Sequence, residues 1–233
     1  MSANNSTPLL NRLLDVLSAD VREQVLDECK LVNLKFGDVL CELGKKSAHV
    51  YFPLNCLVSL VIIIDDHAPF ELAMISRDGM LGASEALGVG EAPQRAVVQG
   101  AGEAIQMPVQ LFKDVLQEQA HFQSAVKRYL FELMTQINRT AGCSQFHRVN
   151  SRLARWLLLT NDRSGSRSFA LTQQYLSEIL GVQRSAVSIA ASDMQNKQLI
   201  SYTRGVITIL DRAGLVAEAC SCYDVIAGGT RSL

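Results

Sequence analysis

The sequence predicts an α+β chain with an N-terminal antiparallel β-barrel or jelly roll, a long dimerisation helix and a C-terminal winged helix-turn-helix. Three observations support this. Short β-prone runs broken by Gly and Asp-Gly turns occupy the stretch from about Leu31 to Met107, the pattern of an antiparallel barrel or jelly roll. The period then becomes helical, with one long apolar stripe from His121 to about His147. Last, Leu171–Ile200 reads as two short amphipathic helices around a tight turn, followed at once by a hairpin. The parts are expected at 1–118, 119–147 and 148–223, with a tail at 224–233.

In chain order, Leu9, Leu10, Leu13, Leu14, Val16 and Leu17, then Val21, Val25 and Leu26, predict a helix over residues 9–29. From Leu31 the period changes to two. Phe36–Gly44 holds a short strand between two glycines, and Tyr51–Cys56 leads into Leu57–Ile64, apolar enough for a buried strand. Phe70–Ile75, Gln94–Gln99 and Ala104–Met107 are further strands. Val109–Leu116 is helical, and the helix over His121–His147 would be about 40 Å long, more than a small barrel can cover. Its stripe (Phe122, Ala125, Tyr129, Leu133, Met134 and Ile137) is expected to form a dimer seam. The alternative is that the helix packs wholly on its own barrel. Asn150–Thr160 starts another helix with Leu153, Trp156, Leu157 and Leu158 as its core face, and Asp162–Ser168 is a polar loop.

In the C-terminal motif, Thr172 stands where an N-cap belongs. Tyr175, Leu176, Ile179 and Leu180 share one helical face, and Gly181 suits the left-handed residue that ends a helix. A second helix starts near Arg184, with Val187, Ala190, Ala191 and Met194 inward and Arg184, Ser185, Ser188 and Ile189 outward. A basic residue at the start of the second helix is placed to read base edges. Leu199–Thr203 and Val206–Ile209 flank Arg204-Gly205, a two-residue hairpin signal, and so predict a wing.

Charge is divided between the parts. Residues 1–147 carry 12 basic against 17 acidic side chains, whereas residues 148–214 carry 9 against 4. A basic domain joined to an acidic one points to where nucleic acid would sit. The six cysteines, Cys29, Cys41, Cys56, Cys143, Cys220 and Cys222, form no CxxC pair and no set with zinc-ligand spacing, so they are expected to be mostly small apolar fillers and no metal is expected. Cys220-Ser-Cys222 is the one close pair, for which a redox or metal role is the alternative. The longest apolar run is far too short to cross a bilayer, and Met1–Thr7 reads as a polar tail rather than a secretory signal. A cytoplasmic protein is expected.

Together, FGDVLCELG, HVYFPLNCLVSLV, RLARWLLL, the Leu171–Ile200 segment and the RGVITIL wing resemble the Crp/Fnr superfamily of bacterial transcription factors, over about Leu9 to Tyr223. The resemblance implies double-stranded DNA and a second copy of the chain as partners. It also brings in RNA polymerase and an unidentified small-molecule effector. DNA contacts would fall to Thr172, Gln173, Gln183, Arg184, Ser185, Ser188, Ile189, Thr203 and Arg204. Arg184 matches the family's first reading arginine, but Ser185 and Ile189 replace the Glu and second Arg of the TGTGA readers, so the half-site should differ.

In the effector segment Gly82 and Arg95 match the cyclic-nucleotide pattern, but Ala83 replaces the ribose-binding carboxylate and Ala96 the phosphate-binding hydroxyl. Each lost charge-assisted bond costs about 1.5–3 kcal/mol, so ordinary cyclic AMP sensing is not expected. Glu85 could replace the acid only by reshaping the turn, and an anion at Arg95 stays open, against Arg95 pairing with an internal carboxylate. No N-terminal cysteine cluster supports an iron–sulfur centre, and nothing selects a haem ligand among His49, His67, His121 and His147. The expected role is a homodimeric, non-enzymatic, DNA-binding regulator. The competing role is a small-molecule sensor whose winged helix makes protein contacts. A jelly-roll metalloenzyme is disfavoured because the barrel offers only His49 and His67 as histidine ligands.

Overall fold

The computed structural model describes residues 10–65 and 67–230. The chain forms two compact units, one running up to Ser59 and resuming over Ile75–Phe131, the other made of Leu60–Met74 and the residues from Glu132 onward.

The first unit opens with a 3-10 turn (Leu14–Val16) and α1 (Ala19–Asp27), not with the single helix expected over residues 9–29. Asn11 is the cause. Its buried side chain donates to the carbonyls of Pro53 (3.0 Å) and Gly79 (2.8 Å) and accepts from the Leu13 amide. Those bonds fix a turn, Leu17 then becomes extended, and the chain restarts as a helix after Ser18. Leu9 and the segment Met1–Thr7 lie outside the described residues.

The strands are β1 (Lys30–Leu34), β2 (Val39–Cys41), β3 (His49–Pro53), β4 (Leu57–Ile62), β5 (Phe70–Ile75), β6 (Arg95–Gly100) and β7 (Gly102–Pro108). They pair in two sheets, β1-β7-β3 and β2-β6-β4-β5. Neither sheet closes on the other, so the arrangement is jelly-roll-like and not a closed barrel. The edge strand β2 is short, and its register against β6 shifts between Val39 and Cys41, which ends its ladder early. β4 is buried on both faces along nearly its whole length, as its continuous apolar run requires.

Two helices follow, α2 (Val109–Glu118) and the 27-residue α3 (Ala120–Phe146). The N-terminal half of the α3 stripe is used inside its own unit. Phe122 packs against Phe52 (6.4 Å between ring centroids) and Phe112 (6.0 Å, edge-on). The Tyr129 hydroxyl donates to the Met80 carbonyl at 2.8 Å. Phe122, Ala125 and Tyr129 are therefore core residues and cannot also be a dimer seam, which corrects the sequence-based assignment. Leu133 and Ile137 are half-buried, whereas Phe131 and Met134 are exposed.

The second unit contains α4 (Val149–Ser164), β8 (Ser168–Ala170), α5 (Gln173–Leu180), α6 (Arg184–Asn196), β9 (Ile200–Thr203), β10 (Val206–Ile209), α7 (Arg212–Glu218) and α8 (Cys222–Thr230). Its sheet is β8-β10-β9, all antiparallel. β8 occupies the end of the expected loop; three residues are too few to show a period. α8 begins before the residues read as a tail and runs on to Thr230, with Ile226 and Ala227 buried; residues 231–233 lie outside the described residues. Leu153, Trp156, Leu157 and Leu158 of α4 are buried together, and the Trp156 indole donates to Glu71 at 2.8 Å. No helix among the described residues is long and apolar enough to cross a membrane.

Candidate nucleic-acid interface

Local chemistry fixes both ends of α5. The Thr172 hydroxyl accepts from the Tyr175 amide at 3.1 Å, as an N-cap does. Gly181 closes the helix at φ 61°, and its amide donates to the carbonyls of Glu178 and Ser177. Any side chain there would be strained, and its first carbon would lie 2.8 Å from the Phe70 ring. Glycine is thus required twice over. Leu176, Ile179 and Leu180 of α5 and Val187, Ala190, Ala191 and Met194 of α6 are buried, which fixes the rotation of α6 about its axis.

That rotation leaves Gln183, Arg184, Ser185 and Ile189 outward, with Ser188 half-exposed beside them. Ile189 is 69% exposed, a large apolar side chain with no intramolecular reason to face water. Ser192, one turn further along, shares this face and was not singled out from sequence; the i+4 step from Ser188 was the available signal. Gln183 caps α6 with its backbone only, so no side chain of the cap residue occupies the amides of the first turn.

The wing forms at the expected place. Arg204 (φ 52°) and Gly205 (φ 76°) are both left-handed, the conformation of a two-residue type I′ turn, with Thr203 paired to Val206. The Leu171 amide donates to the Gly205 carbonyl at 2.7 Å, and the Tyr202 hydroxyl donates to the Leu171 carbonyl at 2.8 Å. These two bonds tie the wing to the start of α5. Thr172, Gln173, Thr203 and Arg204 are thereby drawn to one edge of the unit. Burial pushes the Tyr202 phenol up, and the Arg184 charge acts on it in the opposite sense.

The basic side chains of this unit divide into two sets. Arg212 pairs with Asp162, and Lys197 with Asp193 and Glu218 at 2.9 Å. Arg152 and Arg155 are buried, and Arg163 bonds Gln136 at 3.0 Å. Arg139, Arg148, Arg167, Arg184 and Arg204 remain exposed, without an ion pair among the described residues.

The effector-type residues of the first unit are arranged differently. Gly82 is left-handed (φ 93°), and a side chain there would strike Val50. Ala83 and Ala96 are buried. Glu85 is also buried and forms an ion pair with Lys113 at 2.8 Å, so it does not stand free in place of the missing ribose acid. Arg95 pairs with Glu42 at 3.3 Å, the internal-carboxylate alternative left open by the sequence. The structure does single out one histidine: His147 Nδ1 lies 3.7 Å from the Cys222 thiol.

Residues 151–218 match the Crp-like helix-turn-helix domain. No curated protein matches the chain. The whole fold is similar to that of solved transcriptional regulators. One is a CRP-family regulator from Thermus thermophilus (TM-score 0.68, 18% identity, covering 81% of this chain and 96% of that one). A second, of the CRP/FNR family from the same organism, has TM-score 0.64 and 22% identity, covering 82% and 98%. The c-di-GMP-responsive global regulator CLP of Xanthomonas campestris has TM-score 0.68 and 14% identity, covering 82% and 99%. The chain therefore has the Crp/Fnr regulator fold, with a Crp-like helix-turn-helix domain at its C-terminal end.

Proposed function

We propose that this protein is a cytoplasmic, non-enzymatic transcriptional regulator that binds double-stranded DNA as a homodimer, with α6 in the major groove. The observation that carries it is the outward face of α6, where unpaired Arg184 opens a row of Ser185, Ser188 and Ile189. Arg184 can donate two bonds to a guanine, the serines can reach phosphate or base edges, and Ile189 can meet a thymine methyl. The Thr172 hydroxyl accepts from its helix but still has a proton to donate, and with Gln173, Thr203 and Arg204 it suits the phosphates beside the groove.

Dimerisation is assigned to the outer side of α3, around Met134, because the inner side is spent on the core. Two copies would present their α6 helices to successive major grooves, about 34 Å apart. Ordinary cyclic AMP sensing is not part of this function, because Ala83 and Ala96 lack the ribose acid and the phosphate hydroxyl, and the remaining Arg95 and Glu85 are paired with Glu42 and Lys113. Any effector would act by preferring one arrangement of the chain over another.

Titrating the full chain with duplex DNA at rising salt tests the proposal. Log affinity should fall linearly with log salt, at about −0.9 per phosphate contact. Absence of salt-dependent binding would favour a winged helix that contacts protein instead. Met134→Glu should convert a dimer to a monomer by light scattering; an unchanged mass would remove the assigned seam.

A further inference from the structure

The second unit also contains a cluster that the proposed function does not use. Cys143 and His147 lie one turn apart at the C-terminal end of α3, and the His147 amide bonds the Cys143 carbonyl at 3.1 Å. Cys220 and Cys222 flank Ser221 at the α7–α8 junction, Cys222 being the first residue of α8. The fold brings the four together, with their thiol and imidazole atoms all within 4.8 Å of one another. Cys143 Sγ is 3.5 Å from Cys220 Sγ, and Cys222 Sγ is 3.7 Å from His147 Nδ1.

We propose that Cys143, His147, Cys220 and Cys222 form a tetrahedral site for a single zinc-class divalent cation, which fastens the end of α3 to the α7–α8 junction. Bonds of about 2.3 Å to sulfur and about 2.0 Å to nitrogen set the ligands of such an ion about 3.6–3.8 Å apart. These two edges fit that spacing, and the wider ones need to close by no more than about 1 Å. Three thiolates with one imidazole is a structural zinc donor set. Separations this short suit one ion and not a multi-iron cluster, which inserts irons and sulfides between its cysteines.

Electrostatics supports the same assignment. A divalent ion with three thiolates leaves one negative charge. Arg152 and Arg155, both 5% exposed, lie on the adjoining face of α4, and both interact electrostatically with Cys143 and Cys220. Arg155 has no carboxylate partner among the described residues; it bonds Thr140 at 3.3 Å, and its Nε is unbonded. Buried guanidinium groups need a counter-charge, and bound thiolates supply it. Cys29 and Cys56 differ: each stands apart, with its thiol pushed up to about 11 chiefly by burial.

The test uses the full chain without a histidine tag. Elemental analysis should find one zinc per chain. After chelation, added Co2+ should give the intense visible bands of a tetrahedral ion together with thiolate-to-metal charge transfer. Cys222→Ser and His147→Asn should each weaken Co2+ binding at least tenfold, and Cys29→Ser should leave it unchanged. Zn2+ should also protect Cys143, Cys220 and Cys222, but not Cys29, from alkylation in the wild-type chain, which decides the matter even if a variant fails to fold. Six-coordinate Co2+ without sulfur bands, stoichiometric iron with sulfide, or a Cys143–Cys220 disulfide in place of metal would each overturn the proposal. The site is separate from the α6 face, so failure here leaves DNA binding untouched, and the reverse also holds.

Discussion

The effector-type segment and the α6–wing region place their charged side chains in opposite ways. In the first unit, Arg95 is taken up by Glu42 and Glu85 by Lys113. In the second, Arg184 and Arg204 stand exposed with no ion pair among the described residues. An arginine already paired with a carboxylate must give up that partner before it can pair with a ligand phosphate. An arginine facing water keeps its whole interaction for an incoming anion. The second unit thus leaves these two arginines open to an anion, while Arg95 and Glu85 of the first are paired internally.

The contrast can be broken most forcefully at Lys113. Lys113→Ala leaves Glu85 buried without its partner, and should cost roughly 2–3 kcal/mol of first-unit stability, less than a fully buried pair because Lys113 is partly exposed. Urea denaturation checks this, and Glu85→Gln in the same background should restore much of the loss. Next in size is Arg184→Ala, which should weaken binding to a selected site by about 1–3 kcal/mol and relax one base position, with little change on random DNA. Anisotropy titrations on both duplexes measure it; equal losses would make Arg184 a phosphate contact. Arg204→Ala should lower affinity by a similar factor for every sequence and reduce the salt slope by about 1. The smallest effect is expected at Arg95, whose half-exposed pair with Glu42 is worth about 0–1 kcal/mol. Arg95→Ala should leave both stability and DNA binding near wild type.

What could be read from the sequence was mostly local. The Thr172 cap, the Gly181 stop, the buried set on α6 and the Arg204-Gly205 turn each depend on residues within a few positions, and each stands where the pattern put it. Long-range features were not legible. Asn11 breaks the expected first helix by bonding carbonyls 42 and 68 residues away. The α3 stripe has one period but two environments, because Phe52 and Phe112 claim Phe122 while Met134 stays exposed. The cysteines gave no zinc spacing because Cys143 and Cys220, which come within 3.5 Å, are 77 residues apart in sequence.

Selection from a random duplex library tests the central claim most directly. With the full chain as bait, the enriched sequences should converge on a two-fold symmetric site whose half-sites lie about 10 base pairs apart. Each half-site should contain a guanine whose enrichment disappears with Arg184→Ala. A library that stays random after repeated rounds, at salt low enough for phosphate binding, would contradict α6 as a DNA-reading helix.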